Sequence, residues 1–231
     1  MRSLERKRSY DKFLIFVRHG ATQYTGTYPD LTEKGEKDAH SAARHIESAL
    51  LEYQNCQLIL HSSPQARALG TADILKNDLK EKFSVPFHVS VLSELDAVQI
   101  RDPERAQAVY TTLGSGGYID YEGADQFEDP TMFEPRSEVR ARFFRFLIGR
   151  IRQISRENTI EVFVGHYELF CNLVAEICHI EATESTSLQH CEPIFVLVKC
   201  TDAPTAYSIE CHFRGKIYVR TLAVTEVAKF Q

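Results

Sequence analysis

A run of five apolar residues, Phe13-Leu14-Ile15-Phe16-Val17, stands near the start of the chain and ends on Arg18-His19-Gly20. Its short length and its aromatic and β-branched content predict a strand over residues 13–18, buried on both faces. A turn-rich loop with Gly20, Gly26 and Pro29 follows, and then the period changes. Ala39, Ala43, Ile46 and Leu50 recur at helical spacing, Thr32 is placed to cap that helix, and Glu33 and Glu36 fall in its first turn. The helix is expected to run toward Tyr53. Gln57–His61 predicts a second strand. Ser63-Pro64 reads as a cap and a first helical position for a helix reaching about Leu79. Alternation over Phe87–Leu92 predicts a third strand. Val139, Phe143, Leu147, Ile151 and Ile154 mark an amphipathic helix, Ile160–Val164 a fourth strand and Leu169–Ile180 a helix. Ile194–Lys199, Ser208–His212 and Ile217–Leu222 complete the pattern as strands, with a hairpin at Arg214-Gly215.

Strand–helix alternation over most of the chain predicts an α/β fold, a three-layer α/β/α sandwich around a mainly parallel sheet. Residues 101–135 break the alternation with Gly114, Gly116, Gly117, Gly123, Pro130 and Pro135. They are expected to form a long irregular insertion, a candidate lid, with one short helix near Glu104–Thr111. Residues 1–12 carry Arg2, Arg6, Lys7, Arg8 and Lys12 without an apolar stretch of the secretory kind. They are expected to be a flexible basic tail ahead of a single domain over 13–231.

Composition narrows the function classes. With 43% apolar and 26% charged residues, the 231-residue chain can build an ordinary core. A net charge of −5 argues against nucleic-acid binding through bulk positive charge. No apolar run approaches the length of a membrane span. The six cysteines form no C-x-x-C pair and several sit in apolar stretches. Reduced thiols in the cytoplasm are therefore expected, with no disulfide framework and no metal site.

In sheets of this kind ligands bind beyond the C-terminal strand ends. The first strand ends on Arg18-His19, the second runs through Ser62 and Ser63 to Arg67, and the fourth ends on Gly165-His166. If these strands are parallel neighbours, two arginines and two histidines converge, a set suited to a tetrahedral dianion. Arg67 falls in the first turn of a helix, where a cation opposes the helix dipole unless an anion lies between. Guanidinium also matches phosphate bidentately. On spacing alone His19 is a nucleophile, a general base or a structural histidine. An imidazole with an ordinary pKa near 6.5 is available in its neutral, attacking form at neutral pH. A backbone carbonyl is expected to hold its second nitrogen. His166 is either a donor to phosphoryl oxygens or a helix-entry residue bonded to the backbone. Glu94, just beyond the third strand, is the best candidate acid, with Asp96 its nearest competitor. Glu168 fits the first turn of the next helix by dipole complementarity alone.

Taken together, Arg18-His19-Gly20-Ala21-Thr22, Leu31-Thr32-Glu33-Lys34-Gly35, Ser62-Ser63-Pro64-Gln65-Ala66-Arg67-Ala68 and Gly165-His166 resemble the histidine phosphatase superfamily, also called phosphoglycerate mutase-like. The resemblance spans roughly residues 13–180. It implies a metal-independent phosphatase, without cofactor, in which His19 is the phosphorylated nucleophile. Arg18, Thr22, Arg67 and His166 would complete the phosphate pocket, and Glu94 would donate the proton. Three departures bear on function. Thr25 stands where mutases and sugar phosphatases carry Asn six residues after the nucleophile. The mutase stretch Glu-Arg-x-Tyr-Gly is absent, since Leu95-Asp96 follows Glu94. Tyr167-Glu168 follow the second histidine in place of small residues, which makes Glu168 an alternative acid. The expected substrate is a phosphorylated small molecule or a phosphoprotein, with homodimerisation left open and neither nucleic acid nor membrane as a partner. A phosphoglycerate mutase-type transferase and a non-catalytic phosphate-binding scaffold are the alternatives. The excess of acid over base in 101–135, including Asp102, Glu104, Asp125, Glu128 and Asp129, argues against very highly charged substrates.

Overall fold

A computed structural model describes residues 10–23, 30–53, 55–86, 88–113, 121, 125–153, 159–183, 185–200 and 206–223. Among the expectations above, those for residues 1–9, Thr25, Gly26, Pro29, Phe87, Ile154 and the glycines at 114, 116, 117 and 123 lie outside these.

Seven strands form one mixed sheet. β1 (Lys12–Arg18), β2 (Gln57–Ser62), β3 (Ser90–Val91) and β4 (Thr159–Gly165) are mutually parallel, while β5 (Pro193–Cys200), β6 (Ala206–Phe213) and β7 (Lys216–Ala223) add antiparallel neighbours. The spatial order is β3-β2-β4-β1-β5-β6-β7. Five helices among the described residues pack on the two faces: α1 (Glu33–Ala49), α2 (Ala66–Leu79), α3 (Pro103–Leu113), α4 (Arg136–Arg152) and α5 (Tyr167–Cys178). The chain is thus the predicted α/β/α sandwich, with the parallel strands at its core.

Every residue of β1 is buried, and its alternation divides the core into two. Leu14 and Phe16 join the α4 and α5 side, where Phe16 meets Phe163, Phe170 and Phe143 at ring-centroid distances of 5.2, 5.4 and 5.9 Å. Phe13, Ile15 and Val17 join the α1 and α2 side. This double burial fixes the register, because a slip of one residue would exchange the two faces. Val17 pairs with Val164 and Ser62 also pairs with Val164. The C-terminal ends of β2, β4 and β1 therefore lie level and side by side.

Local chemistry sets several boundaries. Thr32 caps α1, its Oγ1 accepting the Gly35 N–H at 3.1 Å. The capped turn presses on the loop after β1. A Cβ on Gly20 would lie 2.5 Å from the Gly35 carbonyl oxygen, and one on Gly35 would lie 2.1 Å from that of Ala21. Glycine at both positions lets the two backbones touch. Arg214 and Gly215 form the two-residue β6–β7 turn with φ of 50° and 72°, the primed geometry that suits strand twist.

Other boundaries differ from expectation. α1 stops at Ala49, and residues 51–53 form a separate 3-10 turn. α2 begins at Ala66 rather than at Pro64, and Gln65 precedes it without a side-chain cap. The third strand shrinks to Ser90–Val91 at the sheet edge, where it has one neighbour and both residues are exposed. Lys12 is buried in β1 rather than lying in a tail, and the two residues before it are tied to the sheet: the Asp11 N–H donates to the Val198 carbonyl, and the Tyr10 hydroxyl donates to Glu210. In the 101–135 region the short helix expected near Glu104–Thr111 is present as α3, and the other described residues carry more regular structure than the irregular insertion expected there. They form a 3-10 turn at Asp125–Glu128 and, at Phe133, a bridge to Ile100. Tyr121, Phe127 and Phe133 are buried in the α4/α5 core, where their large apolar area outweighs the polar residues around them.

Candidate active site

The level ends of β1, β2 and β4 bring Arg18, His19, Arg67 and His166 together. His19 leaves β1 with its N–H donating to the Gly165 carbonyl at 2.9 Å. Its Nδ1 lies 2.8 Å from the Gly20 carbonyl oxygen, which can only accept. Nδ1 therefore carries the proton and Nε2 presents a lone pair, the expected tautomer lock. Arg67, second residue of α2, donates from Nε to His19 Nε2 at 3.2 Å and from Nη2 to His166 Nδ1 at 3.3 Å. Arg18 donates from Nη1 to the Leu188 carbonyl at 2.8 Å, and its guanidinium lies 5.2 Å from the Tyr167 ring centroid. That stacking explains Tyr167: its aromatic face supports a buried cation. Thr22 lies in a short bridge with Leu31, and its Oγ1 is enclosed without a hydrogen-bond partner among the described residues.

Burial dominates the electrostatics. The His19 pKa is held well below the usual histidine range by desolvation first, then by His166, Arg67 and Arg18. His166 is lowered likewise by burial, then by Arg67, Arg18 and Arg142. Both rings are thus neutral at neutral pH, as a nitrogen nucleophile requires. Positive charge at the site comes from the two guanidinium groups.

A second layer fixes His166. Because Nδ1 accepts from Arg67, Nε2 carries the proton and donates to Ser63 Oγ at 2.8 Å. Ser63 Oγ also accepts from the Gln65 N–H at 3.2 Å and points its own proton toward Asp96 at 3.4 Å. Asp96 is held in turn by Gln65 Nε2 and the Ala97 N–H, both at 2.9 Å. Ser63 is therefore not a simple helix cap, and Asp96 is engaged in orienting His166 through it. Arg142 of α4 clamps the same segment. It forms a two-pronged bond with Glu134, at 2.9 and 2.8 Å, and donates to the carbonyls of Glu94, Asp96 and Ala97 at 2.9, 3.0 and 3.1 Å.

Glu94 sits on the 3-10 turn Ser93–Leu95, exposed to solvent. Its carboxylate accepts from the Ser93 hydroxyl at 3.3 Å, and its charge acts on Arg150. Glu168 is half-buried in the first turn of α5. Neither carboxylate is hydrogen-bonded to His19 or His166. Sequence reasoning missed His190, whose ring centroid lies 5.5 Å from that of His19. It also missed Arg142, whose only sequence signal is a cation on the amphipathic α4.

A family model described as the histidine phosphatase superfamily (branch 1) matches residues 14–203. No curated protein sequence matches the chain. Among solved structures, Bacillus stearothermophilus YhfR shares 16% identity with a TM-score of 0.56, covering 89% of this chain and 97% of its own. A mycobacterial glucosyl-3-phosphoglycerate phosphatase shares 20% identity with a TM-score of 0.53, covering 92% and 97%. The phosphoserine phosphatase of Entamoeba histolytica shares 19% identity with a TM-score of 0.52, covering 84% and 99%. At these identities the likeness is one of fold.

Proposed function

The chain belongs to branch 1 of the histidine phosphatase superfamily, and from that membership we propose that it hydrolyses a phosphomonoester through a phosphohistidine on His19. The observation that carries the reading is the lone pair on His19 Nε2, freed by the Gly20 carbonyl and faced by Arg67. An approaching phosphoryl group takes over the Arg67 N–H that rests on Nε2, which exposes the nucleophile as it binds the electrophile.

In the first step Nε2 forms the P–N bond as the P–O bond to the alcohol breaks, and the Glu94 carboxylic acid protonates the leaving alkoxide. Water then loses a proton to the Glu94 carboxylate and forms the new P–O bond as the P–N bond breaks, which returns neutral His19. Arg18, Arg67 and the Thr22 hydroxyl hold the equatorial oxygens. Such positioning and charge stabilisation supply most of the acceleration in phosphoryl transfer. Once Arg67 turns toward the oxygens, His166 donates to the phosphoryl group from Nδ1 in the tautomer whose Nε2 accepts the Ser63 hydroxyl proton, and the Gln65 N–H keeps Ser63 in place. The reaction drawn this way calls on no metal or cofactor.

The substrate is a phosphorylated small molecule or a phosphoprotein, met in the cytoplasm. The thiols of Cys56, Cys171, Cys178, Cys191 and Cys211 are buried, where they pack as small apolar side chains. The test is turnover of an aryl phosphate and of a panel of phosphometabolites and phosphopeptides by the purified chain, with and without chelator. Phosphate release that survives chelation and vanishes in His19→Ala is expected. Substantial turnover by His19→Ala contradicts the assignment.

A further inference from the structure

Strand polarity delivers a third imidazole to the site. β5 runs antiparallel to β1, with Pro193 opposite Val17, so it begins where β1 ends. The residues leading into it are tied to Arg18 at two points. Arg18 Nη1 donates to the Leu188 carbonyl at 2.8 Å, and the Cys191 N–H donates to the Arg18 carbonyl at 3.0 Å. Cys191 adopts a left-handed backbone, φ 56°, which a residue with a side chain accepts only when its surroundings hold it there. His190 lies between the two ties. Its ring is tilted 56° to that of His19. Its Nε2 is sealed from solvent and has no hydrogen-bond partner among the described residues. Buried nitrogens in native structures nearly always have a partner, and a ligand is one way to supply it.

Burial first, then the charges of Arg18, Lys34 and Arg67, lower the His190 pKa to about 3. The ring is neutral at pH 7 and offers one N–H. It therefore adds a hydrogen bond without adding a third full positive charge to a site already held by two guanidinium groups.

We propose that His190 is a substrate-contacting residue, donating from Nε2–H to a non-bridging oxygen of the phosphoryl group that sits over His19. The identity of the ligand rests on the phosphatase reading, whereas the contact itself can be measured without turnover. The phosphoryl group is then held by groups from the ends of β1 and β4, from α2 and from the loop before β5.

The test compares His190→Phe, which keeps a ring of similar size without the N–H, with His190→Gln, which restores an N–H at similar reach. Inorganic phosphate binding to the full chain is measured by titration calorimetry, and the ring nitrogens are followed by 15N NMR. A hydrogen bond to a charged group predicts phosphate binding weakened about tenfold or more in H190F and largely recovered in H190Q. It also predicts a phosphate-dependent shift of the His190 Nε2–H signal in the wild-type protein. Should H190F fold poorly, the wild-type NMR shift decides. Phosphate affinity in H190F equal to wild type overturns the proposal, and so does equal weakening in H190F and H190Q, which marks a packing role. Wild-type phosphate binding that depends on His190, without hydrolysis of any monoester, refutes the phosphatase reading and leaves the contact standing. Hydrolysis that is indifferent to both variants refutes the contact alone.

Discussion

Acid should weaken this fold through imidazoles buried in their neutral form, and His61 isolates the effect. It lies on β2, stacked on Phe163 of β4 at 4.9 Å between centroids and 11° between planes. Its Nε2 faces Glu161 at 3.2 Å and Arg150 at 3.1 Å. Burial, and then the Arg150 charge, lower its pKa from 6.5 to about 4. Glu161 does not pull a proton onto the ring, because Arg150 already bonds and neutralises that carboxylate. In the unfolded chain His61 protonates near pH 6.5, and in the folded chain only near pH 4. The unfolded state therefore binds the extra proton in this window, and the contribution is present above pH 6.5 and lost as pH falls. At pH 5 the loss is about 2 kcal/mol, and it approaches 3 kcal/mol near pH 4. That is a large part of the roughly 5–15 kcal/mol that holds a domain folded. The chain has no Trp, so urea unfolding at pH 7.5 and 5 is best followed by far-UV circular dichroism. The stability lost between the two pH values should be smaller by about 2 kcal/mol in His61→Gln than in wild type. The same loss in both proteins refutes the reasoning. His19, His166 and His190 add to the acid sensitivity in the same direction, and they cancel in this comparison.

Two further predictions concern the reaction. Glu94→Gln should lower kcat for alkyl phosphates by about two orders of magnitude or more, while sparing aryl phosphates whose leaving group needs no proton. A collapse in Glu168→Gln with Glu94→Gln unaffected moves the acid to α5. Arg142→Met removes the three carbonyl bonds that hold residues 94–97, so kcat should fall about tenfold with little change in KM, the pattern of a positioning residue. An unchanged kcat counts against the clamp.

What the sequence discloses is what depends on local period and polarity. The 13–17 run, the Thr32 cap and the helical spacing of Val139 to Ile151 each carry their structure within a few residues. Arg18, His19, Arg67 and His166 follow from them, because strand–helix alternation sends parallel strand ends to one edge. The exceptions are settled by tertiary contacts. Ser63 reads as a cap by spacing, but the buried Nε2–H of His166 needs an acceptor and takes its hydroxyl. The third strand is short because only Ser90 and Val91 pair with β2 before the chain turns into Ser93–Leu95. Tyr121, Phe127 and Phe133 follow no helical or strand period, so nothing local reveals that they enter the core. His190 was hidden for a topological reason. It precedes a strand, and only the antiparallel direction of β5 turns a strand start toward the ligand edge.

The most direct test of the central claim is rapid quenching of the purified chain during turnover of a labelled phosphomonoester, followed by mapping of the trapped phosphoryl group. The account predicts an acid-labile, alkali-stable phosphoramidate on His19 that forms and decays at rates compatible with kcat and is absent from His19→Ala. A phosphoryl group carried by another residue, or steady hydrolysis with no phosphorylated His19 at any time, contradicts it.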